Sequence, residues 1–131
     1  MNRQQIYKDM ESTLGVVPSF FKAIPDSSLE LEWQLFKKNE IEEGPIPDKY
    51  RNLINLAASA AIKCPYCILH CTEMSKVSGA SEAEIENAIH LAKSVAGWST
   101  YLHGIQVDMN QFKREVQQAC EHVRSMQAVG A

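Results

Sequence analysis

The chain has 131 residues, of which 45% are hydrophobic, and its formal net charge is -3 at pH 7. This length supports one hydrophobic core, so we expect a single domain over residues 1–131. The acidic balance and the scattered charges exclude the basic stripe that nucleic-acid binding requires. No apolar run reaches the ~20 residues of a membrane span, and no signal peptide is recognisable, so we expect a cytoplasmic protein without membrane contact.

The first third of the chain predicts two helices with a break between them. Polar sequence with helical spacing predicts a short first helix over residues 3–13, which residues 15–18 interrupt. Residues 25–28 supply N-cap candidates for a second helix over about residues 27–42. Its apolar stripe is predicted to lie in the core and consists of Leu29, Trp33, Leu35 and Phe36.

The middle of the chain predicts a buried helix that leads into a cysteine-rich segment. Residues 44–47 form a turn of glycine and proline, and the run over residues 53–62 is apolar on most sides. A short bundle that contains such a helix hides the apolar surface most readily against copies of itself. We therefore expect a homo-oligomer.

Two further helices are predicted after the cysteine-rich helix. That helix ends near Gly79, a C-cap candidate, and Ser81 with Glu84 forms a capping box that opens the next one. We expect Gly97 to interrupt this helix and Ser99 to cap a last one that runs to about residue 126. No segment alternates with period two, so the predicted fold is all-α with about six helices.

Chemistry is concentrated in residues 64–71, which hold three of the four cysteines and one of the four histidines. On a helix, Cys64, Cys67 and Cys71 fall within roughly 60° of one another, so all three sulfurs share one face. Pro65 favours the first position of a helix, which places Cys64 at or near the N-cap. There the unpaired N–H groups and the helix dipole favour the thiolate, which is the nucleophile.

This segment is compatible with three kinds of function. A Cys-x-x-Cys pair at a helix start in a reducing compartment is typical of redox chemistry. Three thiolates and the imidazole of His70 are four donors, as in a structural zinc site, but one straight helix cannot place them tetrahedrally. A zinc or iron–sulfur site would need Cys120, His90, His103 or a second subunit, so we expect no metal and no other cofactor. Inert packing of small thiols is the third reading.

Four segments resemble the carboxymuconolactone decarboxylase and alkylhydroperoxidase D (AhpD-like) superfamily, in sequence and in order. They are residues 17–23, 47–57, 64–67 and 79–85, within a likeness that spans about residues 15–97. The resemblance implies an AhpD-like helical bundle that assembles as trimers or hexamers. It also implies an antioxidant thiol–disulfide site that reduces peroxides or protein disulfides and that a partner protein can re-reduce.

The same resemblance implies roles for the cysteines and reveals two departures. In the peroxidase branch the downstream thiol attacks, which implies attack by Cys67 and resolution by Cys64. Peroxidase members also carry a proton relay: a glutamate twelve residues before the first cysteine and a histidine four after the second. This chain has Asn52 and Cys71 at those positions. His70 can substitute as the base or stabilise the thiolate as an imidazolium, because a side chain three residues on reaches back across one helical turn; an ordinary histidine on the helix surface is the alternative.

Because the relay residues are replaced, the candidate functions differ in how well the remaining residues support them. Disulfide exchange needs an accessible thiolate and a neighbouring thiol, so we expect a thiol–disulfide oxidoreductase ahead of a hydroperoxidase. Cys71 adds a third thiol that can resolve a sulfenic acid or pair with Cys67. A metal-binding protein and a family member without catalytic activity are the alternatives. The candidate catalytic residues are Cys64, Cys67, His70 and Cys71.

Overall fold

The computed structural model describes residues 1–130, which form seven α-helices and one π-helical turn without any strand. In chain order they are α1 (Arg3–Leu14), α2 (Ser19–Lys22), α3 (Asp26–Phe36), the π-helical turn (Lys37–Ile41), α4 (Asp48–Ala61), α5 (Pro65–Val77), α6 (Glu82–Gly104) and α7 (Met109–Val129). The predicted all-α class is confirmed. None of these described helices combines the length and the apolar character that a bilayer crossing demands.

Residues 1–51 form the first of two compact units. Asn2 opens α1 with a capping box, in which its side chain accepts the N–H of Gln5 and the Gln5 side chain accepts the N–H of Asn2. The core of this unit comprises Ile6, Met10, Val17, Phe21, Leu29 and Trp33. The stripe predicted on α3 is only partly buried, because Leu35 is 54% exposed.

The helix predicted over residues 27–42 changes its hydrogen-bonding pattern near its end. After α3 the helix widens into the π-helical turn, in which the N–H of Glu42 donates to the Lys37 carbonyl five residues back at 2.8 Å. The Arg51 guanidinium donates through Nη2 to the Glu40 carbonyl at 3.0 Å and through Nη1 to the Glu42 carbonyl at 2.7 Å. Arg51 thus satisfies carbonyl groups that the end of a helix leaves without an intrahelical donor.

The second unit begins at Asn52 and contains most of α4 with α5, α6 and α7. Its core is small and consists of Leu56 from α4, Cys71 from α5 and Ile85 from α6. The predicted capping box of Ser81 at the start of α6 is confirmed. Burial falls away along α6, and every described residue of α7 is exposed. The single-domain expectation over residues 1–131 stays a prediction.

The predicted break at Gly97 is wrong, because α6 continues through this residue to Gly104. One glycine in a helix interior costs only about 1 kcal/mol relative to alanine, so it does not end a helix by itself. The chain turns instead at Gln106, whose φ of 57° places it in the left-handed region. Asp108, not Ser99, then caps the last helix by accepting the N–H of Gln111 at 2.7 Å.

Candidate redox site

The site begins at the turn that joins α4 to α5. Lys63 has a φ of 58°, a left-handed conformation that is uncommon outside glycine. The N–H of Lys63 donates to the Ala60 carbonyl at 3.1 Å, and the N–H of Cys64 donates to the Ser59 carbonyl at 3.1 Å. These two bonds form a Schellman motif, which ends α4 and leaves Cys64 at the start of the next helix.

Cys64 is the N-cap of α5, as the sequence predicts, and Pro65 is the first residue of that helix. The extended backbone of Cys64, with φ -91° and ψ 106°, turns its side chain toward the first turn. There its sulfur accepts the N–H of Cys67 at 3.3 Å. The two Sγ atoms of Cys64 and Cys67 lie 2.7 Å apart, close enough for the thiols to share a proton. Both residues are partly exposed, so solvent and a small substrate reach the pair.

Hydrogen bonding makes the two thiols chemically different. The pKa of Cys64 is lowered, first by the thiol of Cys67 and then by the backbone N–H groups of Cys67 and Tyr66, which all stabilise the thiolate. The pKa of Cys67 is raised, first by its hydrogen bond with the Cys64 thiol and then by desolvation. The structure therefore favours a Cys64 thiolate that is held by a protonated Cys67.

This difference predicts the pH dependence of alkylation. Because the pKa of Cys64 is lowered, its thiolate forms at lower pH, and its reaction with iodoacetamide should rise with a midpoint below that of an unstructured cysteine peptide. Peptide mass spectrometry of the reduced protein measures this midpoint. In Cys67→Ala, which removes the strongest donor, the midpoint should move upward. A Cys64 midpoint equal to that of the peptide would contradict the assignment.

Cys71 lies one turn beyond Cys67 but faces the core. It is 7% exposed and packs with Leu56 and Ile85. The Ser59 hydroxyl lies 3.5 Å from its sulfur and 2.6 Å from the carbonyl of Asn55. The structure thus brings Cys64 and Cys67 together at the surface and places Cys71 in an apolar, hydrogen-bonded setting.

Asn52 stands where the resemblance implies a relay glutamate, and its side chain is engaged elsewhere. It is 5% exposed and donates through Nδ2 to the Met74 carbonyl at 3.2 Å and to Ser78 Oγ at 3.1 Å. These bonds tie α4 to the C-terminal end of α5. An amide held in this way neither accepts a proton nor orients a base toward the thiols.

The other candidate residues, His70 and Cys120, are not members of the Cys64–Cys67 pair. His70 is on the exposed side of α5, and Cys120 is exposed on α7. Among residues 1–130 no group of three or more His, Cys, Asp or Glu side chains is arranged to hold a metal ion. Sequence reasoning missed Ser59 and Lys63, which shape the turn before Cys64. A left-handed lysine leaves no signal of the kind that glycine gives.

Fold and site together define an all-helical protein with a pair of neighbouring thiols at a helix N-terminus. The model of the carboxymuconolactone decarboxylase family matches residues 29–108, and the chain belongs to this family. The structure is similar to the crystal structure of the alkylhydroperoxidase AhpD core from Rhodospirillum rubrum. The two have a TM-score of 0.71 and 22% sequence identity over 81% of each chain, a likeness of fold. No curated protein matches the sequence significantly.

Proposed function

We propose that this protein is a thiol–disulfide oxidoreductase in which Cys64 attacks and Cys67 resolves. The observations that carry the proposal are the 2.7 Å contact between the two sulfurs and the backbone N–H of Cys67, which donates to Cys64 Sγ at 3.3 Å. An attacking thiol must be ionised, and a resolving thiol must wait close by in protonated form. The pair also meets solvent at the start of α5, where the helix dipole favours negative charge.

The proposed reaction exchanges one disulfide for another. The Cys64 thiolate attacks one sulfur of a substrate disulfide, the substrate S–S bond breaks, and the first substrate thiolate leaves. The Cys67 thiol then loses its proton to solvent, and its sulfur attacks Cys64. This step forms the Cys64–Cys67 disulfide and releases the second substrate thiolate. Two electrons have passed to the substrate, and a small or protein dithiol restores the reduced pair.

The resemblance implied the opposite roles for the two cysteines, with attack by Cys67. The backbone N–H that Cys67 donates to the Cys64 sulfur favours Cys64 instead, because it stabilises the Cys64 thiolate and the pKa of Cys64 is lowered. Cys67 would become the better nucleophile only if a base removed its proton. Neither Asn52 nor Cys71 provides that base where the relay would stand, so His70, three residues beyond Cys67 on α5, is the candidate base that is left.

Reduction of alkyl hydroperoxides is the second candidate, favoured by the family and by the fold shared with an alkylhydroperoxidase core. In that reaction the Cys64 thiolate attacks the terminal peroxide oxygen, the O–O bond breaks, and an alcohol leaves after protonation. Cys67 then attacks the resulting sulfenic acid and releases water. The alkoxide leaving group needs a proton donor, which the replaced relay does not supply. We therefore rank this reaction second.

A single-turnover comparison tests the proposal, because both substrates yield the same Cys64–Cys67 disulfide. Reduced protein is mixed with bis(2-hydroxyethyl) disulfide or with cumene hydroperoxide, and the reaction is quenched with acid at set times. Small thiols are removed by gel filtration, and the loss of two titratable thiols from the protein itself is measured. We expect the disulfide to react at least about tenfold faster. An equal or faster reaction with the hydroperoxide would favour the peroxidase, and no reaction with either would favour a protein without catalytic activity.

Two variants extend this comparison to the other cysteines. Cys120→Ser is the control and should leave both rates unchanged, because Cys120 lies on α7. Cys71→Ala tests the third thiol. If Cys71 acts through packing alone, this variant keeps the loss of two thiols and both rates but loses stability, by about 1 kcal/mol. A changed rate at equal thiol count would instead make Cys71 part of the redox reaction.

A further inference from the structure

The last helix carries an apolar stripe that the chain does not cover. Apolar residues recur along α7 with alternating spacings of three and four, which is the pattern of a coiled-coil seam. We name this set the α7 seam; it consists of Met109, Phe112, Val116, Ala119, Val123 and Met126. Its five larger side chains are between 37% and 72% exposed. No residue of this 21-residue helix is buried by the described part of the chain, and an apolar stripe left in this state fits a helix whose partner is another molecule.

We propose that the α7 seam pairs antiparallel with the α7 seam of a second copy of this chain, about a two-fold axis. In such a pair residue i contacts residue j and residue j contacts residue i. If the axis passes between Val116 and Ala119, Met109 faces Met126 of the second copy and Phe112 faces Val123. Val116 faces Ala119 at the centre. Each Phe112, the largest side chain of the seam, then packs against the smaller Val123. No layer places two phenylalanines opposite each other.

Polar side chains beside the seam fit the same register. Glu115 and His122 flank it on one side, at equivalent positions of successive heptads. In the antiparallel pair, Glu115 of one copy lies near His122 of the other, and the contact occurs twice. A parallel pair would place Glu115 near Cys120 instead. The antiparallel register is therefore the one with complementary partners.

The turn between α6 and α7 provides room for the end of the second helix. A cleft of about 500 Å³ lies there, and its lining includes Leu102, Val107, Met109 and Phe112. In the proposed pair the C-terminal end of the second copy's α7 enters this cleft. The six seam side chains bury on the order of 600 Å² per copy, and the cleft wall brings the total near the ~800 Å² of a standard interface.

The α7 seam would be a contact surface of the homo-oligomer that the sequence predicts, and its two-fold symmetry limits the number of subunits. A two-fold contact that engages every copy gives an even number of subunits. A hexamer meets this condition, whereas an isolated trimer does not. The contact is independent of the proposed thiol chemistry, because single-turnover oxidation and subunit number are measured separately.

Light scattering on the full chain gives the first test. The wild type should have an even number of subunits, and Val116→Glu should halve that number, because it places two carboxylates at the centre of the seam. Gln118→Glu is the matched control, since it adds the same charge to another face of the same helix and should leave the number unchanged. A monomeric or odd-numbered wild type would overturn the proposal. A Val116→Glu variant of unchanged subunit number would overturn it as well.

Cross-linking tests the register without disrupting the seam. Two proteins are made in a Cys120→Ser background, one with Val116→Cys and the other with Ala119→Cys. After mixing and subunit exchange, mild oxidation should give a covalent dimer, seen on a non-reducing gel, only in the mixture. Val116→Cys alone would cross-link in a parallel pair, where position 116 faces itself, and that result would overturn the antiparallel register. Absence of any cross-link in all three samples would overturn the seam contact itself.

Discussion

Replacing Cys64 by serine is expected to lower the second-order rate of disulfide reduction by a factor on the order of 10³ or more. The serine hydroxyl stays protonated near neutral pH, so the hydrogen bonds that lower the pKa of Cys64 have no thiolate to stabilise. Stopped-flow measurement of thiol release from a small disulfide gives this rate. The variant should fold normally, because serine is a favoured N-cap residue.

Cys67→Ser is the matched variant, and it separates attack from resolution. Its Cys64 thiolate still attacks, but no thiol is left to release the second half of the substrate. A mixed disulfide on Cys64 should accumulate to one equivalent, visible as a mass increase of the intact protein that dithiothreitol reverses. If Cys64→Ser instead forms the adduct and Cys67→Ser does not, the two roles are the reverse, as the resemblance implied.

The all-α fold and the start of the site could be predicted because their signals are local. Pro65 marks the first position of a helix, and Ser81 with Glu84 marks another helix start, so both boundaries appear in the structure. The position of Cys64 as N-cap follows from Pro65 alone. Its preference for the thiolate follows from that position, and the structure adds the donors that produce it.

Features that depend on distant residues could not be predicted. Helical spacing placed Cys71 on the face of Cys64 and Cys67, but burial against Leu56 and Ile85 gives it a different environment. Helical periodicity predicts in which direction a side chain points from its own helix. It does not predict which side chains of another helix will contact it. The engagement of Asn52 at the far end of α5 is equally invisible in the sequence.

The end of α6, predicted at Gly97 and observed at Gly104, was missed for a different reason. Gly97 lies in a helix interior, where it adds no packing and breaks nothing, while the real turn uses a left-handed glutamine. The hydrogen bonds from Gln106 to the His103 carbonyl and from Val107 to the Leu102 carbonyl, each 3.1 Å, close that turn. Bonds of this kind satisfy the helix end whatever the residue type, so composition does not reveal them.

Trp33→Ala is expected to cost about 3–5 kcal/mol of unfolding free energy, the largest stability loss that we anticipate from one substitution. Trp33 is 0% exposed, and its ring meets Phe21 edge-on at a centroid distance of 5.6 Å. It also stacks on Phe36 at 5.7 Å. Alanine would leave a cavity among these rings that rigid helices fill only in part, and urea denaturation followed by circular dichroism measures the loss.

The indole N–H adds a polar contribution that a second variant isolates. It donates to Asp9 Oδ2 at 2.7 Å, and the Lys37 ammonium lies 2.6 Å from the same oxygen. The ammonium first and the indole second lower the pKa of Asp9. Trp33→Phe keeps most of the volume but removes this donor, so it should cost less, about 1–2 kcal/mol. Leu31→Ala, at a side chain 73% exposed on the same helix, should change stability by less than about 0.5 kcal/mol. Equal losses in Trp33→Ala and Leu31→Ala would contradict the placement of Trp33 at the centre of this core.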